Sequence, residues 1–345
     1  LEVTPENLAE MDENYNFSRR LVAERLSMNR SALNITSTQQ ERFEQYNHPA
    51  YRGAVDVEND ARFAVIPPGV DPALFDANAC IEEEESIYRL VEERLARDIA
   101  EQRRELPAII AASRLEPKKN HLGLVQAFAQ SQILQERANL VLVTSGLENP
   151  LEEEASDEQT EQNVLAPIRE VIKENNLGGK VSAFALPNQP ALAAAYRFLA
   201  KRRSVFALTA HYEPFGLAPL EAAVAGLPVI ATQNGGPSES LQKGNEQYGI
   251  LVDPSDPTSI AQGLERVIGD VQVWEKFAQS GRQHVLTHYT WESIAENYLA
   301  LIEQIVPAPA ARRPQHLLPI HSYFHDPRPE TDISLEELSH LFFSS

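Results

Sequence analysis

Cysteine is almost missing. Cys80 is the only one in 345 residues, so no disulfide can form within the chain. That fits a reducing compartment, and a cytoplasmic location is the expectation. No apolar run approaches the roughly 18 residues of a membrane-spanning helix. Positive charge is short as well: 30 lysines and arginines stand against 50 acids, for a net charge of -20. A surface of that sign repels nucleic acid and anionic membranes, so neither is expected as a partner. His316, His321 and His325 lie in a proline-rich stretch without ligand spacing, and no metal site is expected. G-x-G-x-x-G, the Walker loop, H-E-x-x-H, G-x-S-x-G and paired C-x-x-C are all missing too.

What is present is a rhythm of short apolar runs. Pro107–Ser113, Ala138–Thr144, Val181–Leu186, Ser204–Ala210, Pro228–Thr232 and Tyr248–Val252 each read as a buried strand. Helical stretches separate most of them, which predicts a doubly wound α/β domain with a parallel sheet. Such sheets bind ligands at the carboxyl ends of their strands.

Two of those ends hold polar chemistry. After the fourth run comes Glu213-Pro214-Phe215-Gly216-Leu217-Ala218-Pro219-Leu220-Glu221. Glu213 precedes a helix and Glu221 lies in its first turns, so both can face one crevice. Gly216 permits close approach of a ligand, and the amides of Phe215, Gly216 and Leu217 sit at a helix start that favours oxygen-rich or anionic groups. Carboxylates for hydroxyls beside amides for phosphate suit a sugar nucleotide. After the first run stand Arg114 and Lys119, a forked cation and a mobile one, which suit a diphosphate.

The string EPFGLAPLE resembles the E-x7-E signature of the retaining GT-B glycosyltransferases of family four. Ser113 to Asn120 (SRLEPKKN) and Asn234-Gly235-Gly236-Pro237 are similar to two further signatures of that family. Ile35–Glu41, Val65–Val70 and Gly146–Pro150 narrow the resemblance to the bacterial type of sucrose-phosphate synthases. It runs from about residue 15 to about residue 305. It implies a doubly wound, Rossmann-like C-terminal domain at 74–288, preceded at 1–73 by the closing part of an N-terminal Rossmann-like domain. A crossover helix at 289–306 follows, and 307–345 reads as a tail with a short helix at Ser334–Phe343. The earlier elements of the N-terminal domain have no counterpart here, so the chain is expected to be an N-terminally truncated fragment.

The resemblance also implies an activity: transfer of glucose from UDP-glucose to fructose 6-phosphate with retention, giving sucrose 6-phosphate and UDP. Arg114, Lys119 and Glu213 would be catalytic. Glu221 would take the ribose hydroxyls, Phe215, Gly216 and Leu217 the sugar side, and the backbone at Ala185 and Leu186 the uracil. No cofactor is implied, and no metal for bond breaking. Arg19 and Arg20 match a paired-arginine stretch and are candidates for the acceptor phosphate, with Arg42 and Arg52 as weaker ones. Relatives using another acceptor or donor, of the sucrose synthase or mannosylfructose-phosphate synthase kind, share the C-terminal signatures, so those alternatives stay open. So does a nucleotide-binding protein without activity.

Four smaller expectations concern local structure. Asn14–Ala32 reads as one amphipathic helix, Asp71–Asp76 as a hinge, and Glu82–Glu85 as the start of a charged surface helix. Pro150–Gln162 reads as a flexible insertion.

Overall fold

The computed structural model describes residues 3–144, 146–152, 159–307 and 316–343. The chain divides into two compact units: Pro68–Ile294, and a smaller one formed from Leu1–Pro67 with Ala295–Ser345.

The smaller unit opens with α1 (Leu8–Tyr15) and α2 (Phe17–Arg30). The single helix expected there is broken at Asn16, which adopts a left-handed conformation (φ +49°), one that asparagine tolerates better than most residues. Strands β1 (Asn34–Thr36) and β2 (Phe63–Val65) pair in parallel with each other.

In the larger unit, α3 (Pro72–Phe75) and α4 (Glu84–Asp98) precede an alternating series. It runs β3 (Ala108–Ala112), α5 (His121–Gln130), α6 (Gln132–Arg137), β4 (Asn139–Thr144), α7 (Gln159–Glu174), β5 (Val181–Ala185) and α8 (Gln189–Lys201). It continues through β6 (Val205–Leu208), α9 (Leu217–Val224), β7 (Val229–Thr232) and α10 (Pro237–Ser240) to the small hairpin β8 (Gln242–Lys243) and β9 (Glu246–Gln247). Last come β10 (Ile250–Val252), α11 (Pro257–Ile268) and α12 (Val271–His288). The helix expected from Tyr289 onward is α13 (Trp291–Ile305), and the Trp291 ring is half exposed. Residues 153–158 of the expected insertion, and Ser145, lie outside the described residues.

Six strands form one parallel sheet in the order β10-β7-β6-β3-β4-β5. Alternate residues point to opposite faces. Ile109, Leu140, Leu142 and Ile230 meet α5, α7 and α11 on one side; Ile110, Val141, Phe206 and Val229 meet α4, α8 and α9 on the other. Burial on both faces explains why these strands read as continuous apolar runs rather than as alternating ones. The order reverses between β3 and β6, so the loops leaving those strands diverge and leave a crevice between them.

One of the smaller expectations is overturned and another is amended at a single residue. Asp71–Asp76 holds the short helix α3; its Phe75 is buried in the core, and Asp76 accepts from Arg282 at 3.0 and 2.9 Å. The acidic start of α4 is not wholly solvated either. Glu84 is buried and accepts two hydrogen bonds from Arg197 at 2.9 and 2.8 Å. Arg197 also donates to the Leu74 carbonyl at 2.6 Å, tying α8 to both α3 and α4.

The end of the chain, expected as a tail with a short helix at Ser334–Phe343, has that helix, and it packs. Helix α14 (Leu335–Phe343) buries Leu338 against Leu8, Leu21 and Ala50. Asn29 receives the Leu318 amide at 2.9 Å and donates to the His316 carbonyl at 3.2 Å. Leu338, Leu341 and Phe342 supply an apolar face that the proline-rich approach to it obscures.

Burial alone would push the Glu84 carboxyl up, but Arg197, Tyr88 and the Ile81 amide together hold it at about 2. Its contribution to stability is therefore present above the ordinary value of 4.5 and fades as pH falls toward 2. Arg197→Met strands the carboxylate and is expected to cost about 3–5 kcal/mol. Urea denaturation at neutral pH reads this directly; a loss below about 1 kcal/mol would mean that the pair contributes little.

Candidate active site

The Glu213–Leu217 loop joins β6 to α9 at the carboxyl edge of the sheet. Gly216 caps α9, whose first amides have no partner within the helix. The loop does not stand alone. The Glu213 amide donates to the Asn234 carbonyl at 3.1 Å, and the Gly236 amide donates to the Glu213 carbonyl at 2.9 Å. Gly235 has φ +98°, and a Cβ there would come within 2.1 Å of the Glu213 oxygen. At Gly236 it would come within 2.4 Å of the Phe215 backbone. Any side chain at either position would push the two loops apart. In the sequence the motif shows only as a turn, marked by paired glycines just past a strand end; which backbone presses on it is not visible there.

The cations are already engaged. Lys119 Nζ lies 2.7 Å from Glu213 Oε2, with side chains 17% and 15% exposed. This pair links the loop after β3 to the loop after β6, across the place where strand order reverses. Arg114 is 68% exposed and lies 2.7 Å from Glu116, which Lys118 approaches at 2.9 Å. The Lys118 ammonium holds the Glu116 carboxyl below its ordinary value. Asn120 was not singled out from sequence, yet it braces this corner. Its amide donates to the carbonyls of Thr209 at 3.0 Å and Pro254 at 2.7 Å, and its Oδ1 accepts from Gly123 to cap α5.

Beside these loops is a cavity of about 310 Å³ whose lining includes Ser113, Arg114, Thr144, Leu186, Gln189 and Glu221. Burial pushes the Glu221 carboxyl up, opposed by the Gln189 amide 3.1 Å away. Leu186 lines the cavity; Ala185, at the end of β5, is not among the lining residues. Glu213 is likewise absent from the lining and is held by Lys119 instead. A half-buried carboxylate suits ligand hydroxyls, which donate to it, while exposed Arg114 offers a cation at the rim.

The acceptor candidates fall in the smaller unit. Arg19 is engaged: its Nε donates to Asp332 at 3.0 Å and its guanidinium lies over Tyr323. Arg20 is exposed. Arg42 is buried, donating to the Val57 carbonyl and to Asp60, both at 2.7 Å. Arg52 is exposed, and its carbonyl accepts from Arg25 at 3.0 Å.

Behind the Asn234–Pro237 turn sits a second residue not read from sequence. His284 on α12 is buried and stacks on Tyr248 with centroids 3.6 Å apart. Its Nε2 donates to the Ser240 carbonyl at the end of α10, 3.0 Å away. Burial, with a smaller contribution from His288, pushes His284 down to about 4. The unfolded chain takes up this proton near 6.5, while the folded one refuses it until about 4. Stability is therefore expected to fall as pH drops through that window. Chemical melts between pH 7 and 4 should show the slope, and His284→Gln should flatten it; an unchanged slope would assign the loss to other groups.

A doubly wound parallel sheet whose strand-end loops bring together carboxylates, cations and a ligand-sized cavity is the nucleotide-binding domain of the GT-B glycosyltransferase fold. Comparison with known proteins agrees. The chain belongs to the group 1 glycosyl transferases, the family that matches residues 93–284. It is 35% identical over 298 residues to a probable sucrose-phosphate synthase of Thermosipho melanesiensis, covering 86% of this chain and 60% of that protein. The solved structure of sucrose-phosphate synthase from Thermosynechococcus elongatus superposes with a TM-score of 0.60 at 25% identity, covering 84% of this chain and 62% of that one. Anabaena Alr3699/HepE, solved in complex with UDP-glucose, superposes with a TM-score of 0.60 at 20% identity over 83% of this chain and 68% of that one, a likeness of fold. The chain thus spans about three-fifths of the length of these two sucrose-phosphate synthases, and 30% of that of the sucrose-phosphate synthase of Spinacia oleracea.

Proposed function

We propose that this chain holds the donor site of a sucrose-phosphate synthase, moving glucose from UDP-glucose to fructose 6-phosphate with retention and releasing sucrose 6-phosphate and UDP. The observation that carries this reading is the Lys119–Glu213 pair at 2.7 Å beside the Glu221 cavity. The relatives' names and the UDP-glucose complex of a fold neighbour support the choice of substrates.

In this reading Glu221 accepts from the ribose hydroxyls, and the backbone at Ala185 and Leu186 meets the base. The diphosphate draws Lys119 off Glu213 and Arg114 off Glu116. Glu213 is then released to accept from glucose hydroxyls, beside the amides of Phe215, Gly216 and Leu217. When the bond from the sugar C1 to the phosphate oxygen breaks, negative charge grows on the diphosphate. Lys119 and Arg114 stabilise that charge more than the ground state, which is what lowers the barrier. The acceptor hydroxyl attacks C1 from the leaving-group side, and the departing phosphate oxygen takes its proton. The two cations supply the positive charge for this step without a metal ion. Arg20, exposed in the smaller unit, is the readier of the two acceptor-phosphate candidates, because Arg19 must first leave Asp332. An enzyme with another acceptor or donor would use the same donor loops.

Product analysis by mass spectrometry tests this, using UDP-glucose with either fructose 6-phosphate or fructose, on this chain and on a version extended by any coding sequence upstream of Leu1. A disaccharide phosphate is expected, and Lys119→Ala should lower its rate by about 10²–10³-fold. UDP binding with product from fructose alone would remove the phosphate acceptor. No UDP binding would remove the donor site.

A further inference from the structure

Beneath the Ser113–Arg114 corner lies a histidine that the reading above does not use. His121 begins α5 and is 2% exposed. Its Nε2 lies 3.0 Å from the Ser113 hydroxyl oxygen and 3.3 Å from the Arg114 carbonyl. The carbonyl can only accept, so an unprotonated Nε2 would oppose one lone pair to another. The proton therefore resides on Nε2. Given that tautomer, the Ser113 oxygen can only accept from His121, and its own proton points elsewhere. Among the described residues no other partner is recorded for that hydroxyl, and Ser113 lines the Glu221 cavity next to Arg114. Burial also favours the neutral ring; the Arg114 carbonyl pulls more weakly the other way, and Lys119 adds a still smaller push against a second positive charge.

We infer that His121 is a positioning residue whose Nε2 proton fixes the Ser113 oxygen and the Arg114 carbonyl, leaving the Ser113 hydroxyl proton to be donated to a phosphate oxygen of a bound nucleoside diphosphate. This rests on the donor-site reading proposed above. A phosphate oxygen is an acceptor only and matches a hydroxyl whose acceptor role is already taken. The corner then presents two donors to one anion: the Arg114 guanidinium from its side chain and the Ser113 hydroxyl. His121 touches neither substrate nor reacting atom; it selects which way the hydroxyl points.

The first test needs no ligand. Nitrogen chemical shifts of the His121 ring in the full chain at neutral pH should report the Nε2–H tautomer, and the Nδ1–H tautomer would overturn the inference outright. The second test titrates UDP and uridine into the full chain and its variants by calorimetry. Ser113→Ala should weaken UDP by about ten- to a hundredfold and leave uridine unchanged, the signature of one lost charge-assisted hydrogen bond. His121→Leu should weaken UDP to a similar extent, while His121→Gln, which keeps a donor near the Nε2 position, should restore most of it. The double variant Ser113→Ala with His121→Leu should lose little more than either alone, because the two act through one contact. Ser113→Ala binding UDP like the wild type would refute the inference even if His121→Leu failed to fold. Additive losses, or equal loss of uridine and UDP, would assign both residues a merely structural role. A wild-type chain that binds no UDP would remove the donor-site reading and this ligand with it, whereas wild-type binding with an unaffected Ser113→Ala removes this inference alone.

Discussion

Everything in the larger unit follows from burying a parallel sheet on both faces. A strand with apolar neighbours above and below has no room for charge along its length. Polar side chains are therefore pushed to the strand ends, and the carboxyl ends are where the chain next turns toward a helix. Ser113, Arg114, Lys119, Glu213 and Glu221 are placed by that exclusion before any direct contact acts on them. The strand-order reversal between β3 and β6 then sets two of those ends side by side with their loops parting. The crevice is thus a consequence of topology, and the chemistry in it comes from residues the core could not accept.

Within the crevice, charge is balanced internally. Lys119 is paired with Glu213, and Arg114 and Lys118 share Glu116. Such arrangements keep the cations ordered in a chain of net charge -20, where an unpaired cation would find many competing acids. An anionic ligand need not create positive potential; it only has to replace carboxylates already in place. Exposed pairs such as Arg114–Glu116 are weak and should exchange readily. The less exposed Lys119–Glu213 pair resists more, and its opening would couple diphosphate capture to the freeing of a carboxylate.

The strands, their alternation with helices and the strand-end polar residues were legible in the sequence. Continuous apolar runs such as PAIIAAS mark buried parallel strands without reference to any neighbour. What was not legible depended on contacts distant in sequence. Glu84 looks like one acid in an acidic run, and only its meeting with Arg197, 113 residues away, makes it a buried pair. Arg19 looks like half of a surface arginine pair until Asp332, 313 residues on, takes hold of it. Asn120, His121 and His284 act through backbone carbonyls of other segments, and no local pattern records which carbonyl will be near. Gly235 and Gly236 were partly legible: the pair announces a turn, but not that another backbone presses against it. Helix α14 was legible as a short helix at Ser334–Phe343; its docking on Leu8, Leu21 and Ala50 was not, because those partners lie nearly the whole chain away.

The smaller unit is assembled from both ends of the sequence, and that has a bearing on the order of events at the ribosome. Helices α1 and α2 are made long before α14, yet Leu8 and Leu21 meet Leu338, and Arg19 meets Asp332, only once residues 332–343 have been made. The larger unit lies between them in sequence, is contiguous, and can close as soon as α12 is out. The part of the apolar face that α14 covers must therefore wait while that whole unit is translated, with Ala50 and Tyr51 already beside it. During that interval it is a natural client for a chaperone, and a stop before α14 would leave Leu8 and Leu21 without Leu338.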